Sequence, residues 1–161
     1  MRPTTDKARE ALFNLLAART QLVGASGLDL FAGSGAWGLE LLSRGGAKVV
    51  SVEKQKPVVR HLQQIRKQWP VPDWEIVQAD VSLWLPKQGD SFDLIFLDPP
   101  YAAAEKINWL QQLLTGGRLN PGGWLVLEHP QFETYADLPY FEEMRNYSLV
   151  GFSLFFRPEG D

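Results

Sequence analysis

The 161-residue chain contains no cysteine and only two histidines. The missing cysteine excludes disulfide bonds, zinc sites built from thiolates and a cysteine nucleophile. No apolar run approaches the roughly 20 residues that a membrane-spanning helix needs, and charged residues interrupt the segment where a secretory signal would be apolar. These absences predict a cytoplasmic protein whose chemistry does not use thiols.

Charge is modest overall, with a net value of −3, but it is distributed unevenly. Residues 1–70 contain 11 Lys and Arg against 5 Asp and Glu, whereas residues 71–161 contain 5 against 14. A basic N-terminal part and an acidic C-terminal part would allow contact with a polyanion such as RNA from one side only. A chance split of solvated surface charge remains open as the alternative.

Residues 92–101 read Phe-Asp-Leu-Ile-Phe-Leu-Asp-Pro-Pro-Tyr. The first six residues form an apolar run that predicts a strand buried on both faces of a parallel sheet. The run stops at Asp98, because the two prolines that follow cannot continue a strand ladder. We therefore expect a carboxylate at the carboxyl end of a central strand, where ligands bind in open α/β sheets.

This corner is a candidate catalytic site. The Asp98 carboxylate and the Pro99 carbonyl are two acceptors that could hold both hydrogens of a planar amino group and direct its lone pair at an electrophile. The Tyr101 ring could stack on the ring that bears the amine, and such stacking is worth about 1–3 kcal/mol. An ordinary Asp-Pro turn is the structural alternative, but Asp-Pro-Pro-Tyr directly after an apolar strand favours the catalytic interpretation.

A second candidate site follows a predicted strand over residues 27–31 and reads Gly33-Ser34-Gly35-Ala36-Trp37-Gly38. Glu53 lies 20 residues after Gly33, at the end of the next predicted strand, where its carboxylate suits ribose hydroxyls. This pattern also fits a nicotinamide dinucleotide, so it does not choose the cofactor alone. Asp29 favours S-adenosylmethionine, because a carboxylate facing the loop would repel a pyrophosphate and attract the methionine ammonium.

The remaining patterns alternate helices with strands and end in two strands. Asp80 is suited to cap a short helix at 81–85, residues 120–123 are predicted as a turn, and His129 is predicted as a loop residue. An amphipathic helix is expected over the first 20 residues, with Ala8, Ala11, Leu12, Leu15 and Leu16 on its apolar side. Further helices are predicted at 57–68 and 107–114, and further strands at 48–52, 74–78, 124–127, 141–147 and 149–156.

Asp98-Pro99-Pro100-Tyr101 resembles the catalytic motif of the S-adenosylmethionine-dependent amino-methyltransferases. Two further segments, Arg2-Pro3-Thr4-Thr5-Asp6-Lys7 and Asp29-Leu30-Phe31-Ala32-Gly33-Ser34-Gly35, precede it in a similar order and spacing. Together the three motifs resemble the RsmD family, which methylates the 2-amino group of a guanine in small-subunit ribosomal RNA. The likeness extends over nearly the whole chain.

The resemblance implies a doubly wound, Rossmann-like α/β fold with seven mostly parallel strands in the order 3-2-1-4-5-7-6 and an antiparallel C-terminal strand. It implies one methyltransferase domain over residues 1–161, acting as a monomer without a metal on ribosomal RNA or the small ribosomal subunit. In this family a basic hairpin that grips RNA lies before the position of Arg2, and we expect it to be absent here.

The resemblance also implies roles for individual residues. The implied catalytic residues are Asp98, Pro99, Pro100 and Tyr101. The residues implied to contact the substrate are Arg2, Thr4, Thr5 and Tyr101. Cofactor binding falls to Asp29, Phe31, Ala32, Gly33, Ser34, Gly35, Gly38, Glu53, Lys54, Asp80 and Val81.

Several alternatives stay open at this stage. A methyltransferase acting on an adenine amine would use the same Asp-Pro-Pro-Tyr motif, whereas enzymes acting on protein glutamine more often have Asn at the position of Asp98. A nicotinamide-dependent oxidoreductase and a non-catalytic RNA-binding domain are the remaining alternatives.

Overall fold

A computed structural model describes residues 5–69, 73–87, 89–100, 104–147 and 149–160. The described chain forms a seven-stranded sheet with helices on both faces. The strands are β1 (Ser26–Leu30), β2 (Lys48–Glu53), β3 (Trp74–Gln78), β4 (Phe92–Leu97), β5 (Leu119–Pro130), β6 (Phe141–Tyr147) and β7 (Val150–Phe156). The helices are α1 (Asp6–Arg19), α2 (Ala36–Ser43), α3 (Lys56–Gln68), α4 (Val81–Trp84) and α5 (Lys106–Thr115).

The strand order is β3-β2-β1-β4-β5-β7-β6, as predicted. Neighbouring strands from β3 to β5 are parallel, and β7 runs antiparallel to both β5 and β6. Because β1 to β5 point the same way, their carboxyl ends meet at one edge of the sheet. This topology confirms the predicted methyltransferase-type architecture.

Each face of the sheet has its own apolar core. Alternate residues of the central strands point to opposite faces, so Phe96 and Val126 pack with α1 and α2, whereas Ile95 and Leu125 pack with α5. The face that carries α1 and α2 is called the α1–α2 face below. Side chains of both central strands are almost completely buried, as expected for strands covered by helices on two sides.

Helix α1 begins where the capping residue Thr5 accepts a hydrogen bond from the Ala8 amide at 3.2 Å. Its buried side consists of Ala8, Leu12, Phe13 and Leu16. Ala11 and Leu15 are only half-buried, so the predicted apolar stripe was displaced by part of a turn. None of the helices in the described ranges is both long and apolar enough to cross a bilayer.

Two predictions around β5 were wrong. Residues 120–123, predicted as a turn, belong to β5, where Gly122 has a φ of +81° and the pairing with β4 shifts between Phe92 and Leu94. The pairing advances by two residues along β4, from Phe92 to Leu94, but by five along β5, from Leu119 to Trp124, so the predicted turn residues form an irregular stretch that interrupts the ladder without ending the strand. His129, predicted in a loop, is a fully buried strand residue. Both ring nitrogens have partners inside the protein: Nε2 lies 2.7 Å from Ser153 Oγ, and Nδ1 lies 2.7 Å from the Pro130 carbonyl oxygen.

Candidate active site

The carboxyl ends of the parallel strands border a cavity of about 630 Å³. This volume lies within the roughly 300–1,000 Å³ of ligand pockets that hold drug-sized molecules. Apolar walls alternate with three acidic residues, two of which lie at the ends of β2 and β3. The walls include Phe31, Val52, Ala79, Pro100 and Trp109, the acids at the strand ends are Glu53 and Asp80, and the third acid is Glu105.

The amide groups of the glycine loop are already used within the protein. Gly33 donates to Glu53 Oε1 at 2.9 Å, Gly35 to the Ala32 carbonyl at 2.8 Å, and Gly38 to Asp29 Oδ2 at 3.2 Å. A dinucleotide site needs loop amides that point at a pyrophosphate. Here two of these three amides bind carboxylates instead, which disfavours an anionic ligand at this position.

The loop glycines serve different purposes. A Cβ at Gly38 would lie 2.7 Å from Val49 Cγ1, so this glycine allows α2 to pack closely on the sheet. A Cβ at Gly35 would lie 2.8 Å from Leu62 Cδ2, and its φ of +76° also favours glycine. A Cβ at Gly33 would meet only the Phe31 carbonyl oxygen, at 3.9 Å, and this glycine lines the cavity, whereas Ser34 is exposed and Ala32 is buried.

Phe31 connects the first strand to the glycine loop in a left-handed conformation, with a φ of +59°. This conformation is uncommon for a residue other than glycine and costs of order 1–3 kcal/mol. It places the Phe31 ring against Trp109, with 4.9 Å between the ring centroids, in the wall of the cavity. The strained backbone of Phe31 therefore helps to shape the cavity wall.

Asp29 is the buried acid next to the loop, with only 1% of its surface exposed. Its Oδ2 accepts from the Gly38 amide, whereas no donor among the described residues reaches Oδ1. Burial raises the pKa of Asp29 to about 8 against the opposing effect of the Gly38 amide, and the Glu53 charge adds to the rise. A cation bound beside Asp29 would restore its negative charge.

The two acids at the strand ends are held by hydrogen bonds. Both Glu53 oxygens accept backbone amides, from Gly33 at 2.9 Å and Gln55 at 3.0 Å. Asp80 caps α4 by accepting from the Ser82 amide at 2.9 Å, and its other oxygen lies 3.6 Å from Lys54 Nζ. Each carboxylate retains lone pairs for a hydroxyl or an amino group. Val81, which follows Asp80, also lines the cavity.

Asp98 ends β4, and its backbone amide donates to the Leu30 carbonyl at 3.4 Å. Its Oδ1 is buried and receives no hydrogen bond from a donor among the described residues. The pKa of Asp98 is raised to about 8. Burial is the largest cause, and the negative charges of Glu128 and Asp29 add to the rise. Pro99 after it is buried, and Pro100 is exposed and lines the cavity.

Sequence reasoning missed Glu128, which ends the apolar part of β5 and is 2% exposed. The sequence did contain a pattern that indicates Glu128, because residues 124–127 form an apolar run that stops at an acid, as the run before Asp98 does. The cavity-lining roles of Val58, Ser82 and Trp109 were missed as well. These three lie on helices, where no local pattern indicates which residue faces a ligand.

Some predicted site residues lie elsewhere. Arg2, Thr4 and Tyr101 are outside the described residues. Thr5 borders a separate cavity of about 660 Å³ with Asn146 and Tyr147, and it is not among the residues lining the first cavity. Among the described residues, no group of three His, Asp or Glu side chains has the arrangement of a metal site.

The described site fits a cofactor that has both an apolar aromatic part and a positive charge. The cavity offers Phe31 and Val81 to a planar ring and Glu53 to hydroxyl groups. Asp29 is not among the lining residues, but next to the glycine loop it has a buried carboxyl oxygen without a described donor, which suits a cation. Such a combination corresponds to an adenosine joined to an amino acid through a sulfonium. The fold and the site together define a Rossmann-like protein of the methyltransferase class.

The family described as "Conserved hypothetical protein 95" matches residues 1–155, and the chain belongs to it. This is the RsmD family that the three motifs predicted, so the prediction is confirmed. The chain is 36% identical over 131 residues to Ribosomal RNA small subunit methyltransferase D of Escherichia coli (strain K12), covering 80% of this chain and 61% of that protein. The chain therefore spans about three fifths of the length of this curated relative.

Two further similarities extend over almost the entire chain. The YlbH protein of Bacillus subtilis (strain 168) is 32% identical over 163 residues, covering 96% of this chain and 86% of the relative. The solved structure of the yhhF protein from Escherichia coli superimposes with a TM-score of 0.87 at 30% identity, covering 99% of this chain and 89% of that one. The fold and the family assignment thus agree.

Proposed function

We propose that the protein transfers a methyl group from S-adenosylmethionine to the exocyclic 2-amino group of a guanine in 16S ribosomal RNA. The observation that carries this proposal is the Asp98 corner, where a buried carboxylate oxygen without a described donor ends the central strand beside the cavity. An acceptor in this position suits an N–H group brought from outside. The names of the relatives support ribosomal RNA as the substrate.

The cofactor would lie along the edge from Asp29 to Asp80. Asp29 would bind the ammonium of its methionine part, Glu53 its ribose hydroxyls, and Asp80 with the Val81 amide its adenine edge. When bound, S-adenosylmethionine supplies an electrophilic methyl group whose bond to sulfur breaks as a nitrogen–carbon bond forms, leaving a neutral sulfide. The buried acids would favour a cationic ligand over its neutral product.

Asp98 and the Pro99 carbonyl would hold the two hydrogens of the amine. Positive charge grows on the nitrogen as its new bond forms, and the Asp98 carboxylate stabilises that charge and then accepts the released proton. A base inside a duplex could not reach this corner, so the target must be unpaired or flipped, which costs a few kcal/mol. Tyr101 would stack on the base, and Arg2, Thr4 and Thr5 would contact the RNA.

The same assignment implies the setting in which the protein acts. We expect it to work in the cytoplasm, where ribosomal subunits are assembled, as a monomer with its residues 1–161 forming one methyltransferase domain. The exposed basic residues of α3, including Arg60 and Lys67, offer a surface for the phosphate backbone of RNA.

Radiolabelled methyl transfer followed by nucleoside analysis tests the proposal. Small-subunit ribosomal RNA and assembled small subunits that lack the modification are incubated with the protein and methyl-tritiated cofactor, with Asp98→Ala as the control. The label is expected in N2-methylguanosine with the wild type only. Label in N6-methyladenosine or in protein would overturn the guanine assignment, and stabilisation by a nicotinamide dinucleotide without any methyl transfer would overturn the reaction class.

A further inference from the structure

The separate cavity of about 660 Å³ lies between the first turns of α1 and the end of β6, and it is called the α1–β6 cavity below. Helix α1 contributes two small residues, Ala8 and Ala11, which lie one turn apart and leave space because their side chains end at a methyl group. Asn146 and Tyr147 line it from the end of β6. None of its described lining residues also lines the first cavity, so the two are distinct binding volumes.

The lining of the α1–β6 cavity combines groups that recognise a nucleobase. Tyr147 is half-buried, and its ring packs against the buried Phe152 with 5.7 Å between the ring centroids, so the ring is held in place. An aromatic ring held beside two alanine methyl groups suits a flat base. Asn146 is exposed, and its amide offers a donor and an acceptor to the edge of such a base.

The described charged residues that line the cavity are Asp6 and Lys7, and both are exposed at its opening. The Asp6 carboxylate is paired with Arg9, whose Nη2 lies 3.0 Å from Asp6 Oδ1. Lys7 brings an ammonium group to the opening, where it can approach the phosphate attached to a bound base. An aromatic wall, an amide and a cation together fit a nucleotide better than they fit a wholly apolar ligand.

The α1–β6 cavity lies on the side of the sheet to which Asp98 projects. Asp98 follows the alternation of Phe96, which belongs to the core of the α1–α2 face, and Tyr147 packs against the same core. Because β7 is antiparallel to both β5 and β6, β6 ends at the same edge as β5. In the order β4-β5-β7-β6, β6 lies three strand spacings from β4, which is roughly 14 Å. A base in the cavity is therefore a neighbour of the one presented to Asp98.

We propose that the α1–β6 cavity binds one unpaired nucleotide near the target guanine in the same RNA strand, and that Tyr147 and Asn146 determine specificity for it. This inference rests on the proposed function, in which Asp98 contacts the target amine. Flipping the target base breaks its stacking on its neighbours, and a base stacked on Tyr147 restores part of what is lost. The cofactor and this nucleotide then occupy different cavities, with the end of β4 between them in the strand order.

Ala11→Leu is the decisive variant, because it fills the cavity and keeps both recognition groups. Ala17→Leu changes an exposed alanine of the same helix that is not among the lining residues, and it is the matched control. Fluorescence anisotropy measures binding of a labelled single-stranded oligoribonucleotide of about ten nucleotides with one central guanine. Ala11→Leu should bind it about tenfold more weakly than wild type and Ala17→Leu equally well. Failure of wild type to bind, or equal binding by Ala11→Leu, would overturn the proposal.

Abasic substitution locates the bound neighbour. Each nucleotide flanking the guanine is replaced in turn by an abasic one, and wild type should lose about tenfold in affinity at one position. Ala11→Leu should lose much less there, since its cavity is already filled. Asn146→Ala should relax the preference among the four bases at that position alone. Losses that are the same in wild type and Ala11→Leu at every position would contradict a nucleotide in this cavity.

Steady-state methyl transfer to small-subunit ribosomal RNA separates a specificity role of Tyr147 from a structural one. Tyr147→Ala should raise the KM for RNA about tenfold, with kcat and the dissociation constant for S-adenosylmethionine within about threefold of wild type. Tyr147→Phe keeps the ring and should restore the KM. Lower thermal stability of Tyr147→Ala with an unchanged KM would assign the ring to packing alone. An effect seen only with assembled subunits would place a protein segment in the cavity, and either result would overturn the proposal.

These measurements distinguish this inference from the proposed function. If wild type transfers no methyl group but shows an abasic effect that Ala11→Leu lacks, the proposed function fails and the nucleotide site stands. If wild type methylates guanine while Ala11→Leu and Tyr147→Ala both have its KM for RNA, the proposed function stands and the nucleotide site is wrong.

Discussion

The acids at the carboxyl edge of the sheet fall into two groups with different environments. The outer acids, Glu53 and Asp80, are half-buried and accept hydrogen bonds from backbone amides. The inner acids, Asp29, Asp98 and Glu128, project from the α1–α2 face of adjoining strands, and burial raises the pKa of both Asp29 and Asp98 to about 8.

This difference indicates a division of labour. Carboxylates that are already hydrogen-bonded and partly solvated suit neutral hydroxyl and amino groups, which only add a further hydrogen bond. Buried carboxyl groups with raised pKa values become charged most readily when a positive charge arrives. We therefore expect the outer acids to hold the nucleoside part of the cofactor and the inner acids to serve its cationic part and the reacting nitrogen.

Asp29→Asn should give the largest loss of cofactor affinity, because it removes the buried acid beside the loop that a bound ammonium would ionise. Removing one partner of a buried charge pair costs 2–5 kcal/mol, so we expect affinity to fall about 30-fold or more. Calorimetric titration with S-adenosylmethionine measures this, and Asp137→Asn, an exposed acid elsewhere, serves as control. Wild-type affinity in Asp29→Asn would show that Asp29 does not bind the cofactor.

Glu53→Gln should weaken the cofactor less. The amide keeps one oxygen for the Gly33 amide but turns an NH₂ group toward the second backbone donor, Gln55. A loss of about tenfold in affinity is expected, which corresponds to about one hydrogen bond to a charged group. If Glu53→Gln bound S-adenosylmethionine more weakly than Asp29→Asn in the same titration, the outer acids would contribute more to cofactor affinity than the inner acids, which would contradict the proposed order.

Asp80→Ala should have a smaller effect on binding combined with lower stability, because Asp80 also caps α4. The lost cap costs about 1 kcal/mol, and cofactor affinity should fall about fivefold. Asp80→Asn retains the capping oxygen and should recover the stability in thermal unfolding. A stability equally low in both variants would show that the cap is not what Asp80 contributes to folding.

A separate prediction concerns how stability depends on pH. Below about pH 4, Asp29 is protonated in both the folded and the unfolded protein. As pH rises toward 8 the unfolded chain loses this proton while the folded protein keeps it, so the free energy of unfolding falls. Asp29→Asn should remove this part of the decline, which thermal unfolding between pH 5 and 9 would detect. A decline as steep as that of the wild type would show that Asp29 is ionised in the folded protein.

The positions of most elements followed from local patterns, and the strand order followed from the resemblance to the RsmD family. The apolar run that ends at Asp98 and the glycine loop after β1 each indicated a strand end at the ligand-binding edge. The prediction for residues 120–123 was wrong because Pro and Gly occur in an irregular stretch inside a strand as well as in a turn between strands, and only pairing with β4 distinguishes the two. His129 was misplaced because its buried partner Ser153 is far away in the sequence.

The grouping of the inner acids could not be predicted from the sequence in the same way. The position of Glu128 beside Asp98 depends on the register between two strands, and that register is set by packing across the sheet rather than by either segment. Sequence alone therefore indicated Asp98 as a single catalytic acid, whereas in the fold a second acid, Glu128, directly follows the residue that pairs with Leu97.

The most direct test of the central claim measures turnover and cofactor affinity in the same preparation of Asp98→Ala. Because Asp98 is assigned to the amine and not to the cofactor, methyl transfer should fall by about 10²- to 10⁴-fold. The dissociation constant for S-adenosylmethionine should stay within about threefold of the wild type, since the lost hydrogen bonds are not made to it. Cofactor binding that is lost while turnover at saturating cofactor is retained would contradict the account.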